Sequence, residues 1–358
     1  MSVRREIHEL WLKRSTAFAG KIRLCNQVRI CRNLQGYAFP VKASSTDRQE
    51  ISLTIQKALG HLMRPKKDWV VIHWNSCTDA ERRVLKRLCR LDFPCEETAI
   101  VFDKKSLAIY VINDGDALRI QAASSDLSLG SLWKLLDKID TRLQNYLPYA
   151  FDPEKGYATA SPTNYGDGLD VRVQVHIPAL CFKQKLIQMQ EALKIMHLKV
   201  DAVEVLGDKI LGHRFFVTNT VALGCSEEDL VNHVDVAAQD IVKQEAALRA
   251  HLWKIDDSFM KDSISRAIGV LKSCYELTFE EGMNLISVIL MGMDMGVVSD
   301  HGRDALMSLW ASMPCEFLSE FCGKSFDPRS ENKVRAGIVR AYFAGCDDAL
   351  VKEVDYVS

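Results

Sequence analysis

Residues 157–180 read YATASPTNYGDGLDVRVQVHIPAL, and the fold turns on how this stretch divides. Its first half is a compact Pro162-Thr163-Asn164 loop followed by Gly166 and Gly168. Its second half, 169–177, alternates apolar and polar residues without a break. A period of two puts Leu169, Val171, Val173, Val175 and Ile177 on one strand face and Asp170, Arg172, Gln174 and His176 on the other. Loops pinned between rigid elements are common places for chemistry. Asp167, Asp170 and Arg172 at the loop's exit are nevertheless a mixed set for gripping any one charge.

Further strands are expected at 69–74, 98–103 and 106–113, and a strand pair at 214–224. The apolar spacing of 128–147 predicts a helix between two strand groups. Ser226 and the acidic turn behind it open a long helix over 226–253. Beyond 254 the strand signal stops. Helical spacing continues through 262–277, then after a Thr278-x-x-Glu281 capping box, and again at 331–345 behind the Asp327-Pro328 break. The pattern predicts an α+β body over 1–254 and an all-helical part over 255–358, with the 226–253 helix joining them directly.

At 358 residues the chain exceeds one ordinary core, so two domains are the default. With 47% apolar and 26% charged residues it is globular in composition, and a net charge of −1 gives no general pull towards nucleic acid or an anionic membrane. The charged N-terminus is no secretory signal, and the apolar run at 285–298 is too short and interrupted to span a bilayer. Eleven cysteines without a Cys-x-x-Cys pair and nine histidines without ligand spacing predict no metal site. A reducing cytoplasm is the expected compartment.

Four stretches, QVRICRNLQGYAFP (27–40), INDGDALRIQ (112–121), the opening stretch and the helical tail, together resemble one family. It is the ATP:guanido phosphotransferases, within them the McsB-type protein arginine kinases. The resemblance implies a guanido-kinase fold, with a central, largely antiparallel sheet flanked by helices and then a helical C-terminal domain. It implies Mg-ATP as phosphoryl donor, a guanidinium nitrogen of a protein arginine as acceptor, and dimerisation through or near the tail. Arginine-containing client proteins or an McsA-like adaptor are the implied partners. Phosphoryl transfer draws its rate from positioning and from cations that absorb developing charge, and the family aims arginines at the phosphates.

Position by position, the match is incomplete. Arg29 and Arg119 stand where caging arginines belong, but Gln27, Asp170 and Asp201 replace three others. Asn113 and Asp116 match; Asp114 is a shortened glutamate that could assist a Mg-bound water. Gly115 stands where the family's guanidinium-orienting glutamate belongs, and Ser161 where its cysteine does. Arg32 and Asn33 survive, and a structural role is enough to explain them. Arginine-to-aspartate exchange at two positions disfavours a bound triphosphate by on the order of 10 kcal/mol before relaxation. Arg172, on the same strand face as Asp170, either extends towards the phosphates as a substitute cation or pairs with Asp170. Asp114, Asp116 and Asp170 are either an oxygen-rich cation site or three solvated carboxylates. In the tail, Glu331, Asn332, Lys333, Val334, Arg335 and Ala336 align with the family's phosphoarginine-reading motif; Arg335 keeps its second half, and the first half is gone. The expectation is an impaired or inactive pseudokinase acting as a protein-binding scaffold, with an active protein arginine kinase as the alternative.

Overall fold

The alternating segment 169–176 becomes the middle of the molecule's main sheet. In the computed structural model, which describes residues 3–16, 20–62, 69–103, 106–221, 224–299, 302–324 and 326–345, the strands are β1 (Arg23–Arg32), β2 (Trp69–His73), β3 (Ala99–Asp103), β4 (Ile109–Ile112), β5 (Leu118–Ser124), β6 (Phe151–Asp152), β7 (Gly156–Tyr157), β8 (Leu169–His176), β9 (Leu198–Ala202), β10 (Val205–Leu206), β11 (Lys209–Ile210) and β12 (Arg214–Asn219). Eight of them form one sheet in the order β2-β3-β4-β5-β1-β8-β12-β9, and every pairing in it is antiparallel. β6–β7 and β10–β11 are separate two-stranded hairpins. The helices are α1 (Val3–Thr16), α2 (Ser45–Leu62), α3 (Asp79–Cys89), α4 (Leu129–Gln144), α5 (Pro178–Phe182), α6 (Leu186–Ile195), α7 (Glu227–Ile255), α8 (Asp257–Ser273), α9 (Phe279–Asp294), α10 (Arg303–Ser312), α11 (Cys315–Cys322) and α12 (Pro328–Phe343).

The two sheet faces differ in chemistry. Val28 and Ile30 of β1, Val171 and Val173 of β8, Ile120 of β5 and Val217 of β12 share a face packed under α2, α4 and α7. The opposite face is apolar at the β2–β4 end, where Ile100, Phe102, Ile109 and Val111 meet Ile7 and Leu10 of α1 and Val84 and Leu85 of α3. Across β5, β1, β8 and β12 the same face carries Arg119, Gln121, Arg29, Gln27, Asp170, Arg172, Gln174 and Phe216, by the strands' register. This polar strip runs between α3 on one side and the tail helices on the other.

Several local rules set the frame. Thr78 and Glu81 close a reciprocal capping box at the start of α3, and Arg90 ends that helix in the left-handed conformation. Ser226 caps α7 by accepting from the Asp229 N–H. α7 runs to Ile255; the Asp256 side chain then accepts from Phe259 N–H and starts α8 without a linker. Thr278 caps α9 as its motif predicts, accepting from Glu281 N–H.

One expectation changes. Segment 214–224 holds one strand, β12, whose partners β8 and β9 are distant in sequence; residues 222–223 lie outside the described residues. In the apolar run at 285–298, Ile286, Ile289, Leu290 and Met293 pack in the tail's own core, which also takes in Leu24, Cys25, Ala123 and Leu211 of the body.

Body and tail also share a buried polar seam. Arg249 of α7 donates to Glu245 at 2.7 Å, to Asp294 of α9 at 2.6 Å and to the His176 carbonyl at 3.0 Å. Asp294 in turn accepts from Arg303 of α10. Ser287 of α9 lies 2.8 Å from His176 Nε2 and 2.9 Å from His213 Nδ1. Its single hydroxyl proton can be donated to one ring, which must be neutral to accept it, while the other ring donates to the hydroxyl oxygen. Burial is the first cause that lowers both: His176 falls well below its ordinary value and His213 to about 4.

Candidate active site

The polar strip gathers most of the residues singled out in the sequence. Asp170 is buried on β8 and accepts from Arg172 Nε and Nη2, each at 2.6 Å. Thr218 Oγ1 adds a donor at 3.3 Å, and Arg29 Nη1 stands 3.6 Å away on β1. Burial pushes the Asp170 carboxyl up, but Arg172, Arg29 and Arg90 outweigh it and hold it well below the usual carboxylate range. Of the two roles open to Arg172, pairing with Asp170 is the one the structure adopts.

Arg119 is equally committed. It donates from Nη1 to Asp114 at 2.9 Å and from Nη2 to the Cys89 carbonyl at 2.7 Å, with the exposed Asp92 carboxylate at 3.8 Å. Arg90 lies over the Phe216 ring at 4.4 Å, and Arg172 shares that ring at 5.8 Å. Burial, then the guanidiniums of Arg119, Arg90 and Arg172, push Arg29 well below its ordinary value. Arg29 Nη2 and Arg119 Nε are buried with no hydrogen-bond partner, as are both ends of the Gln121 carboxamide.

The acidic residues are neither a cation site nor solvated. Asp114 accepts from the backbone N–H groups of Asp92 (3.1 Å) and Phe93 (2.8 Å) besides Arg119. Asp116 accepts from Asn33 Nδ2 at 2.7 Å and Ala160 N–H at 2.6 Å, and thereby pins the 160–168 loop to β1. All three carboxylates are buried, and among the described residues no group of three acidic, histidine or cysteine side chains is placed to hold a metal ion. Between Asp114 and Asp116, Gly115 leaves a gap: a Cβ there would meet only Ala160 and Phe93, each at an ordinary 3.6 Å.

Ser161 Oγ is 2.7 Å from Thr163 Oγ1 and is held within its own loop. The loop's glycines are kept for packing. Gly168 has φ +68°, and a Cβ on it would fall 2.3 Å from Arg32 Nη1 and 2.5 Å from the Cys31 carbonyl oxygen. Arg32 and Asn33 are structural: Arg32 binds Asp140 and lies 3.5 Å over Tyr157, and Asn33 bridges Asp116, Ala158 and Ala117.

The remaining positions scatter. Gln27 faces a cleft of about 330 Å³ that opens beside the arginine cluster, between α3, β12 and the tail. Asp201, on β9 at the cleft's margin, is half exposed and pairs with Lys199 at 2.6 Å. Arg335 is far from all of these and fully buried. Its Nε donates to the Met313 carbonyl at 3.0 Å, and Nη1 to the Leu277 carbonyl and Asn332, both at 2.8 Å. It ties α12 to the end of α10 and the approach to α9.

Two residues at the site escaped the sequence reading. Cys31 follows Arg29 on the same strand face and accepts weakly from Asn164 at 3.9 Å; burial pushes its thiol far up, so it does not supply the thiolate that Ser161 lacks. Arg90 joins the cluster from the end of α3. The basic run ERRVLKRLCR (81–90) was its only signal, and that run reads equally well as a solvated helix face.

A single antiparallel sheet with one polar face that collects arginines beside a Pro-Thr-Asn loop is the architecture of a guanido phosphotransferase. The model of the ATP:guanido phosphotransferase C-terminal catalytic domain matches residues 52–248, and that of the protein-arginine kinase McsB C-terminal domain matches 257–353. The chain belongs to the ATP:guanido phosphotransferase family, in its protein-arginine kinase branch. It is 30% identical over 337 residues to a protein-arginine kinase of Desulforamulus reducens (92% of this chain, 94% of that one). It is 29% identical over 361 residues to one of Moorella thermoacetica (96% and 100%). The fold is also that of lombricine kinase, with a TM-score of 0.55 at 17% identity over 67% of this chain and 71% of that one. The substrate-free duplicated taurocyamine kinase of Schistosoma mansoni superposes with a TM-score of 0.53 at 19% identity, over 64% of this chain and 32% of that longer one.

Proposed function

We propose that this member of the protein-arginine kinase branch is a pseudokinase, a cytoplasmic and homodimeric protein-binding scaffold whose partners are arginine-containing proteins or an McsA-like adaptor. One observation carries the reading: the position where the family orients an acceptor guanidinium is a glycine, and the two aspartates flanking it are engaged within the chain. Gly115 has no side chain to offer, and the carboxylates on either side of it accept from the chain's own donors, Asp114 from Arg119 and two backbone N–H groups and Asp116 through Oδ1 from Asn33 and Ala160. An acceptor that is not oriented loses the positioning on which phosphoryl transfer depends.

A second reading, an active kinase moving the γ-phosphate of Mg-ATP to protein arginines, draws on the partnerless donors of Arg29 and Arg119. In it Arg29, Arg119 and Arg172 hold the phosphates, and Arg172 must leave Asp170 to do so. The two separate cleanly on incubation of the full-length protein with Mg-ATP and an arginine-rich substrate such as casein. The pseudokinase reading expects no acid-labile phosphate above a no-enzyme control. Transfer that disappears in Arg119→Ala overturns it.

A further inference from the structure

On the side of the sheet away from the polar strip, α6 and α7 leave a groove of about 590 Å³ between them. Met189 and Leu193 of α6 and Ala237 and Ile241 of α7 make its buried floor, where they belong to the core beneath. Met196 and Val236 line its walls at 48% and 60% exposure, and Ile195, 84% exposed, stands next to Met196. Single apolar residues on a surface need no explanation, but a contiguous patch along a groove marks an interaction site. The charge of the lining is positive: it holds Lys185 and Lys243, and its one carboxylate, Asp240, already accepts from Gln244 at 2.6 Å.

The chain itself supplies a matching segment. Beyond Gly345, the last described residue, thirteen residues follow, CDDALVKEVDYVS. Four of them are acidic, Asp347, Asp348, Glu353 and Asp355, against the single Lys352. Leu350, Val354 and Val357 recur at helical spacing, the pattern of an apolar stripe that lies in a groove. A helix rises about 10 Å from Leu350 to Val357, and α7 rises about 12 Å from Val236 to Gln244. α12 leads the segment towards α7. Its Tyr342 donates to the Gly302 carbonyl at 2.9 Å, Arg303 beside it binds Asp294, and Asp294 binds Arg249, five residues along α7 from Gln244. From there thirteen extended residues reach up to about 45 Å.

We propose that the α6–α7 groove is the docking site of the chain's own C-terminal segment, residues 346–358, with Leu350, Val354 and Val357 on the apolar floor and the acidic residues towards Lys185 and Lys243. Tethering keeps the segment at a high local concentration, so a contact too weak for two separate molecules suffices within one. The docked segment fastens the tail to the body on the side of the sheet opposite the arginines, whether or not the protein transfers phosphate.

The test is hydrogen–deuterium exchange of the full-length protein, read by mass spectrometry. Backbone amides of 349–357 are expected to exchange about tenfold or more slowly than in a synthetic peptide of the same thirteen residues. Val236→Asp, at an exposed position far from the polar strip, is expected to bring them to within about twofold of the peptide, and Leu350→Asp to do the same. The amides of β8 keep their rate in both variants, which shows that the fold is intact. Lys185→Glu/Lys243→Glu and raised salt are each expected to weaken the protection. In Leu350→Asp the vacated groove is expected to bind the fluorescein-labelled peptide saturably, and in Leu350→Asp/Val236→Asp that binding is lost. Wild-type amides that exchange like the peptide's, protection that survives Val236→Asp, or a vacated groove that ignores the labelled peptide overturns the proposal. Protection that falls on dilution together with the dimer fraction in sedimentation also overturns it, because the occupant is then a second copy's segment. None of these readouts involves phosphate transfer, so this proposal and the pseudokinase reading can fail separately.

Discussion

Asp114 and Asp116 stand on either side of Gly115, but their partners lie within the chain. Each carboxylate is spent on the chain itself, Asp114 holding the 92–93 backbone against Arg119 and Asp116 holding the 160–168 loop against β1. Removing one partner of a buried, hydrogen-bonded charge leaves the other uncompensated, at a cost of about 3–5 kcal/mol. Asp114→Ala is therefore expected to lower unfolding stability by about that amount, read as a fall in the urea midpoint with an unchanged slope. Gly115→Glu is expected to do little harm. The position has no positive φ, its Cβ meets only ordinary contacts, and the change in stability should stay within about 1 kcal/mol. By itself it should not confer transfer to casein, because Asp170 still occupies Arg172.

The strand β8 with its loop is the element that organises the site. Gly168→Ala forces a methyl group into the Cys31 carbonyl and Arg32 and strains a positive φ, so a loss of about 2 kcal/mol or more is expected in the same urea titration. β8 was legible because its alternation is strict and one of its faces is apolar. β1 was not recognised as a strand, since RLCNQVRICR places polar side chains in a buried strip and offers no contrast between wet and dry faces. α2 and α3 went unread although their buried residues keep helical spacing, Ile51, Ile55, Ala58 and Leu59 in α2 and Val84, Leu85 and Cys89 in α3. The substituted positions could be found from the resemblance in the sequence, but not the destination of each charge. The pairing of Arg172 with Asp170 was one of the two roles their shared strand face offered, whereas Asp114's backbone donor at Asp92 and Arg335's carbonyl at Leu277 lie 22 and 58 residues away in sequence.

At the scale of the whole molecule, the histidine–serine contact makes the union of body and tail sensitive to acid. His213 titrates at about 4 in the folded chain because burial disfavours its charged form, while an unfolded histidine titrates near 6.5. Between these values the unfolded chain binds the extra proton, so stability falls as pH drops from about 6.5 to about 4. His213→Gln, compared with wild type across that window, is expected to remove a pH-dependent component of about 3 kcal/mol. The difference between the two proteins separates the imidazole from carboxyls that titrate in the same range.

The polar seam has a consequence for descent. Arg249 sits at a junction where one half of the chain supplies Glu245 and His176 and the other supplies Asp294. A change on either side strands a charge on the other, so neither half can be exchanged for a cousin's without its counterpart. Gly115 sits in a local gap that tolerates a side chain, whereas Arg249 binds two parts of the chain at once.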